Sequence, residues 1–245
     1  MEILTRRRED ATIRRTKSST PRLRFIVSPR RYLIIGCGQF GSRAARTLLG
    51  KSPHSKITIV DRDEQALQKV FDLSVEKVLS DGLSYLDRVL LDGPATGYIV
   101  PAVPCHLAFE FVLLRLKSLG ARKGKILPLH GLPNPMMGKT GDLYTSLADF
   151  LCPEDCTEPS QFCTTTRKKR PKPLFKILEE WRGPFDPMVI RSLQLGPGVG
   201  GYRPEALLGP IETIKNRRGS NRPFLISTAC RCHGVTSALS LEGPL

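Results

Sequence analysis

The chain has 245 residues, 40% of them hydrophobic, with seven cysteines and a formal net charge of +15. That length accommodates one large domain or a domain with a smaller appendage, and the apolar fraction supports a real core. Residues 1–31 hold ten basic and three acidic side chains and residues 164–173 hold five basic ones, so the charge belongs to a tail and a loop. This argues against nucleic acid as a partner, which wants a basic face on a folded module. A membrane span is not expected, because the longest apolar stretch, 107–119, is interrupted by Glu110, Arg115 and Lys117. A secretory signal is not expected either, because no apolar segment follows the basic start.

In chain order, residues 1–30 read as a disordered basic tail, and Glu2, Glu9 and Asp10 argue against an organelle transit peptide. Residues 32–35 predict a strand, 42–49 the opening of a helix, and 57–60 a second strand. A helix over 63–71, a third strand over 76–79, a helix over 83–91 and a fourth strand over 97–104 follow. Residues 105–119 predict a well-buried helix, because apolar residues lie on most of its sides, and 125–129 a fifth strand. This alternation is the signature of a doubly wound, mostly parallel sheet, and residues 31–130 are read as a Rossmann-like dinucleotide-binding domain. Residues 131–245 are read as a C-terminal α/β extension with a cysteine-rich loop at 151–173, exposed over 164–173. A short helix is expected at 173–181, a strand at 188–195, a glycine-rich turn at 196–202, a helix at 204–216 and a last strand at 224–228.

The first unit carries the clearest chemistry. Gly36, Gly38 and Gly41 stand at G-x-G-x-x-G spacing between a strand and a helix, and Asp61 ends the second strand 20 residues past Gly41. Gly36 permits the sharp turn, Gly38 lets a pyrophosphate approach the backbone, and Gly41 lets the helix pack close. The amides opening the helix, Gln39 and Phe40 among them, bind phosphate, and Asp61 accepts the ribose hydroxyls. The acid favours NAD, while Arg62 beside it keeps NADP as the alternative. The run GCGQFG followed by ITIVDRDEQAL resembles the NAD-binding domain of bacterial potassium-uptake regulators, and more loosely saccharopine-dehydrogenase-type Rossmann domains. The resemblance covers residues 31–129 and implies NAD(H) held by Gly36, Gly38, Gly41 and Asp61. The second half does not resemble the small ligand-sensing domain of those regulators.

Cys152, Cys156 and Cys163 form a second constellation in a proline-stiffened loop, with Cys230, Cys232 and His233 as further ligands. Clustered thiols in an intracellular chain point to a shared metal, zinc or an iron–sulfur cluster. Separate reduced thiols or reversible disulfides are the alternatives. Cys37 is read as a small filler of the glycine turn, and the glycine-rich turn at 196–202 as structural or as a second anion site facing the cofactor. His106 and His130 follow successive strands and are the candidate acid/base groups near a nicotinamide, with Asp142 and Tyr144 weaker candidates of the same kind. The run 167–170 is read as a solvated loop.

These readings converge on a cytoplasmic NAD(P)-binding protein of oxidoreductase type with a cysteine-ligated metal. The alternative is a non-catalytic sensor of NAD(H) or redox state, for which a homodimer is the expected assembly. The substrate or effector is not legible.

Overall fold

The computed structural model describes residues 29–93, 97–127, 129–217 and 222–241; the expectation for the basic tail falls almost wholly outside them. β1 (Arg31–Ile35) is buried at every position but Arg31, as a strand covered on both faces must be. α1 (Gln39–Lys51) buries Gly41, Ala44, Ala45 and Leu48, a spacing that places them on one helical face. β2 (Lys56–Asp61) leads into α2 (Glu64–Leu67), where Asp63 caps the first turn by accepting from the Gln65 amide. β3 (Glu76–Leu79), α3 (Gly82–Leu91) and β4 (Tyr98–Pro101) complete the first sheet, with Asp81 capping α3 on the Ser84 amide. The strand order is β3-β2-β1-β4 and every pairing is parallel.

α4 (Leu107–Leu116) is apolar nearly all round because it lies between two sheets. Its Phe109, Phe111 and Val112 share one core with Leu33 and Ile35 of β1 and with Phe224, Ile226 and Leu239 further along the chain. The second sheet contains β5 (Ala121–Gly124), β6 (Met136–Met137) and β7 (Leu143–Ser146). After α5 (Leu174–Glu180) come β8 (Asp186–Arg191), then β9 (Leu193–Gly196) and β10 (Val199–Gly201), which form a separate hairpin. α6 (Glu205–Asn216) precedes β11 (Phe224–Ala229) and β12 (His233–Leu241). β12 is the spine of the second sheet: it pairs antiparallel with β11, with β7 at its start and with β5 at its end, while β8 runs parallel to β11. Backbone hydrogen bonds between Ile99 and Tyr202, 2.8 and 3.0 Å, attach the β9–β10 hairpin to β4. Leu195 and Val199 of the hairpin pack in one cluster with Ala44 and Leu48 of α1.

Several elements depart from the sequence reading. The fifth strand is Ala121–Gly124 rather than 125–129, and it belongs to the second sheet. ILPL has the hydrophobicity of a strand, but Ile126 and Leu129 are spent filling a core with α5, whereas the basic Ala121–Gly124 segment finds backbone partners on β12. The strand expected at 188–195 is two strands in different sheets, parted at Ser192. The glycine-rich turn at 196–202 is the end of β9 and all of β10. β7 and β12 are additional to the strands read from the sequence: Leu143–Ser146 is only four residues long, and HGVTSALSL has no sustained apolar alternation. Their burial comes from pairing, with Thr145, Thr236 and Ser237 all enclosed.

Candidate functional site

The glycine turn has the geometry its spacing implies. Gly36 adopts φ +100°, and a Cβ there would lie 2.5 Å from the Ala102 carbonyl oxygen. A Cβ on Gly41 would lie 1.9 Å from the Gly36 carbonyl oxygen, so α1 rests directly on the turn, whereas a Cβ on Gly38 would meet nothing within 4 Å. The open space therefore lies over the residue that caps α1. Gly38 offers no side chain to that cap and the first turn holds no acidic residue, which leaves the Gln39 and Phe40 end of the helix to an outside anion. Asp61 reaches the same place from β2. Its Oδ2 accepts from the Cys37 amide at 2.6 Å and its Oδ1 from the Asp63 amide at 3.0 Å. Each carboxylate oxygen keeps a second lone pair for a ribose hydroxyl. Burial, helped by the Asp61 charge, pushes the Cys37 thiol up, so it is a neutral filler. Arg62 is exposed and its charge acts on Asp81 of the neighbouring helix cap. The residues present fit an adenine dinucleotide: open backbone for the pyrophosphate and a carboxylate for the ribose.

Beyond the turn, a crevice of about 320 Å³ lies between Phe40 and Ala44 of α1, residues 100–104 at the end of β4 and just past it, and Gly198–Gly200 of the hairpin. The hairpin thus faces the same side of the sheet as the start of α1. Every residue lining the crevice is apolar or glycine.

The two histidines lie elsewhere. His106 opens α4 as expected, but its ring turns into the second sheet and is 3% exposed. Its Nδ1 is 2.8 Å from Ser237 Oγ and its Nε2 is 2.9 Å from Thr228 Oγ1. Ser237 gives its own proton to Asp142 Oδ1 at 2.5 Å, so its oxygen accepts from His106 Nδ1–H, and Thr228 donates to Nε2. Burial pushes His106 down to about 3. Lys123 closes the network on Asp142 at 2.7 Å. Burial of Asp142 opposes its ionisation, but hydrogen bonds from Lys123, Ser237 and Thr140 hold it below the usual carboxylate range. His130 is exposed, and its carbonyl accepts from Trp181 Nε1 on the α5 side of the second sheet. Tyr144 is an exposed residue of β7. Neither histidine lines the crevice beside Phe40.

The cysteines do come together. Cys152, Cys156, Cys163, Cys230, Cys232 and His233 all line one cavity of about 620 Å³, which also touches Phe40 and Arg43 of α1 and Gly198 and Gly200 of the hairpin. The loop carrying the first three is pinned there. Gly198 N–H and Gln194 Nε2 both donate to the Cys156 carbonyl, at 3.0 and 2.8 Å, and Arg43 pairs with Glu154. Gly198, at φ +64°, lies so close to the Glu154 carbonyl that a Cβ would overlap it. Cys152 Sγ stands 3.6 Å from His233 Nε2. The Thr166 amide and hydroxyl bring the Cys163 thiol down to about 7, while burial and then the Glu158 carboxylate push Cys230 up to about 12. Arg170, expected in solvent with the rest of 167–170, instead donates to Cys232 Sγ and to the Phe162 carbonyl. All seven cysteines are free thiols, and among the described residues no group of three or more His, Cys, Asp or Glu side chains is arranged to hold a metal ion as it stands. Sequence reasoning missed Arg170, Lys123 and Ser237; a basic residue on a thiol and a serine between two titratable groups leave no spacing signal.

Fold and site together define the first part of the chain. Residues 32–85 match the TrkA-N domain, the Rossmann-type NAD(P)-binding domain of potassium-uptake regulators. Residues 108–242 match a family model described as the C-terminal domain of an uncharacterized protein. A protein of Archaeoglobus fulgidus, itself described as an uncharacterized protein, is 31% identical over a 223-position alignment that covers 84% of this chain and 98% of that one. The chain belongs to the family defined by that C-terminal domain. No solved structure matches it. Among the described residues, no helix is long and apolar enough to cross a membrane.

Proposed function

We propose that this protein is an intracellular NAD(H)-responsive regulator: the dinucleotide lies over Gly36, Gly38 and Gly41 with its ribose on Asp61, and the C-terminal unit reports its presence. The observation that carries this reading is the crevice beside the glycine turn. It is shaped by Phe40, residues 100–104 and the hairpin, and its lining holds no group that can take or give a proton. A dehydrogenase needs such a group within hydrogen-bond reach of the reacting carbon's substituents. His106 is committed to Ser237 and Thr228, and His130 lies by Trp181 at the end of α5 and does not line the crevice, which weighs against the oxidoreductase alternative. Division near His130 into a dinucleotide unit and a C-terminal unit belongs to the proposal. Coupling between the two runs through the hairpin, which packs on α1 and forms one wall of the crevice. NAD is favoured over NADP, because Asp61 repels a 2′-phosphate and the Arg62 charge already acts on Asp81.

The test is calorimetric titration of the purified chain with NADH, NAD⁺ and NADPH, with size-exclusion chromatography in the same buffers. NADH or NAD⁺ should bind more tightly than NADPH and alter the assembly or the protease sensitivity of the C-terminal unit. Absence of binding by all three refutes the reading. Turnover of NADH with a small carbonyl acceptor would replace it with the oxidoreductase.

A further inference from the structure

The thiol-lined cavity, at about 620 Å³, has the size of a small-molecule site, roughly 300–1,000 Å³. Within it Cys152 Sγ meets His233 Nε2 at 3.6 Å, although the two residues are 81 positions apart. The imidazole is held from its other side. Cys230 Sγ stands 4.0 Å from Nδ1 and accepts from the amides of Cys232, at 3.4 Å, and His233, at 3.3 Å. Burial and then the Glu158 carboxylate keep Cys230 protonated, up to about 12. Its sulfur therefore serves as an acceptor, and Nδ1 carries the ring proton that faces it. Nε2 then turns its lone pair to the Cys152 S–H. Burial holds His233 below the usual imidazole range, with Glu158 opposing and Arg170 reinforcing that effect, so at neutral pH the ring is uncharged and can take a proton. Burial, then Cys156 and Cys163, push Cys152 up while Arg170 pulls it down. Cys152 thus depends on its neighbour to lose a proton, the arrangement of a thiol beside a base.

We propose that Cys152 is a nucleophilic thiol that exchanges with low-molecular-weight disulfides admitted to this cavity, with His233 Nε2 as its base. In the step, the Cys152 S–H bond and the S–S bond of the small disulfide break. A new S–S bond joins Cys152 to one half of the disulfide, and the other half leaves as a thiol with the proton that Nε2 held. The Cys152 sulfur is oxidised and the departing sulfur is reduced, so no further oxidant is needed. The attached group lies in a cavity that shares Phe40, Gly198 and Gly200 with the crevice beside the glycine turn. The exchange itself is independent of NAD(H), and its readout needs no cofactor.

The experiment uses the full chain, reduced and then treated with hydroxyethyl disulfide or oxidised glutathione from pH 6 to 8, quenched in acid and mapped by mass spectrometry. Cys105 is the internal reference. It is the exposed thiol, but burial and then Glu110, Asp142 and Asp81 disfavour its thiolate. A thiol without a base is less than about one per cent ionised at pH 6 and gains reactivity about tenfold per pH unit. Cys152 should therefore be modified at pH 6 at least about tenfold faster than Cys105, and its rate should change less than about threefold up to pH 8. His233→Gln should slow Cys152 at pH 6 at least about tenfold and give it the steep profile of a plain thiol. An internal disulfide that includes Cys152 supports the proposal as the product of a second exchange, and one that omits it counts against. Modification of Cys105 or Cys163 before Cys152 at pH 6, or a tenfold rise per pH unit at Cys152 in the unmodified sequence, overturns the proposal. Site order and pH profile of the unmodified sequence decide the matter even if the His233 variant fails to fold.

Discussion

Gly38 and Gly41 stand in one turn, yet a methyl group added at each should have opposite consequences. At Gly38 a Cβ meets no atom within 4 Å, and φ is −65°, which alanine adopts freely. Alanine at a compatible glycine position stabilises by about 0.4–1 kcal/mol by restricting the unfolded chain, but Gly38 is the N-cap of α1, where alanine is poorer than glycine by a similar amount, so the two effects offset. The same methyl fills the open space above the helix start where a pyrophosphate must descend. At Gly41 the Cβ would lie 1.9 Å from the Gly36 carbonyl oxygen, a backbone atom that cannot rotate away. α1 must then move off the turn, at a cost of about 1–3 kcal/mol for an overpacked contact. At about 2–4 °C per kcal/mol for a chain of this size, Gly41→Ala should lower Tm by roughly 2–12 °C. Gly38→Ala should leave Tm nearly unchanged and weaken NADH binding at least tenfold, about 1.4 kcal/mol. The assays are thermal unfolding without cofactor and calorimetric titration with NADH. A Gly38→Ala protein that binds NADH like the wild type would remove the dinucleotide from this turn. A Gly41→Ala protein with unchanged Tm would contradict the close contact of α1 with β1.

Three further outcomes follow from the same structure. Asp61→Ala removes the acceptor of the Cys37 and Asp63 amides as well as the ribose ligand, so it should lower both stability and NADH affinity; unchanged affinity in titration would take the ribose off Asp61. His106 is pushed down to about 3 in the folded protein, against about 6.5 when unfolded. Below pH 6.5 the unfolded chain therefore binds a proton that the folded chain refuses, and stability falls as pH falls towards 3, by about 1.4 kcal/mol per pH unit. Urea unfolding at pH 6.5 and 4.5 should show a loss about 2–3 kcal/mol smaller in His106→Gln than in wild type, and equal slopes would mean that His106 is not sealed. Lys123→Met leaves the enclosed Asp142 carboxylate with its Ser237 and Thr140 hydrogen bonds but no countercharge. Breaking a fully buried pair costs about 3–5 kcal/mol, and with the Lys123 side chain 28% exposed about 1–3 kcal/mol is expected; Lys123→Met with Asp142→Asn should recover part of it in denaturant unfolding, and no recovery would show the loss to be packing of the lysine stem.

Legibility followed the range of the interactions. The β1–α1–β2 unit was readable because glycine spacing, one apolar run and one acid are all local consequences of how a chain turns from strand to helix. β12 was not, because HGVTSALSL has no apolar alternation of its own and becomes a strand through partners on both sides. His106 shows the same limit. Its position after β4 was correct, but the direction of its ring depends on Ser237 and Thr228, which lie more than a hundred residues further on. Arg170 read as one charge in a solvated run, and only the fold brings Cys232 beneath it.

By itself, then, the amino-acid order determined the shape of the glycine turn, because backbone conformation at Gly36 and close packing at Gly41 are properties of a few adjacent residues. Only the tertiary structure decided what stands beside that turn. Cysteines in two distant segments carry no record of their separation in space. They share a cavity because β12 starts at His233, and because Gly198 and Arg43 anchor the 151–173 loop against the hairpin and α1.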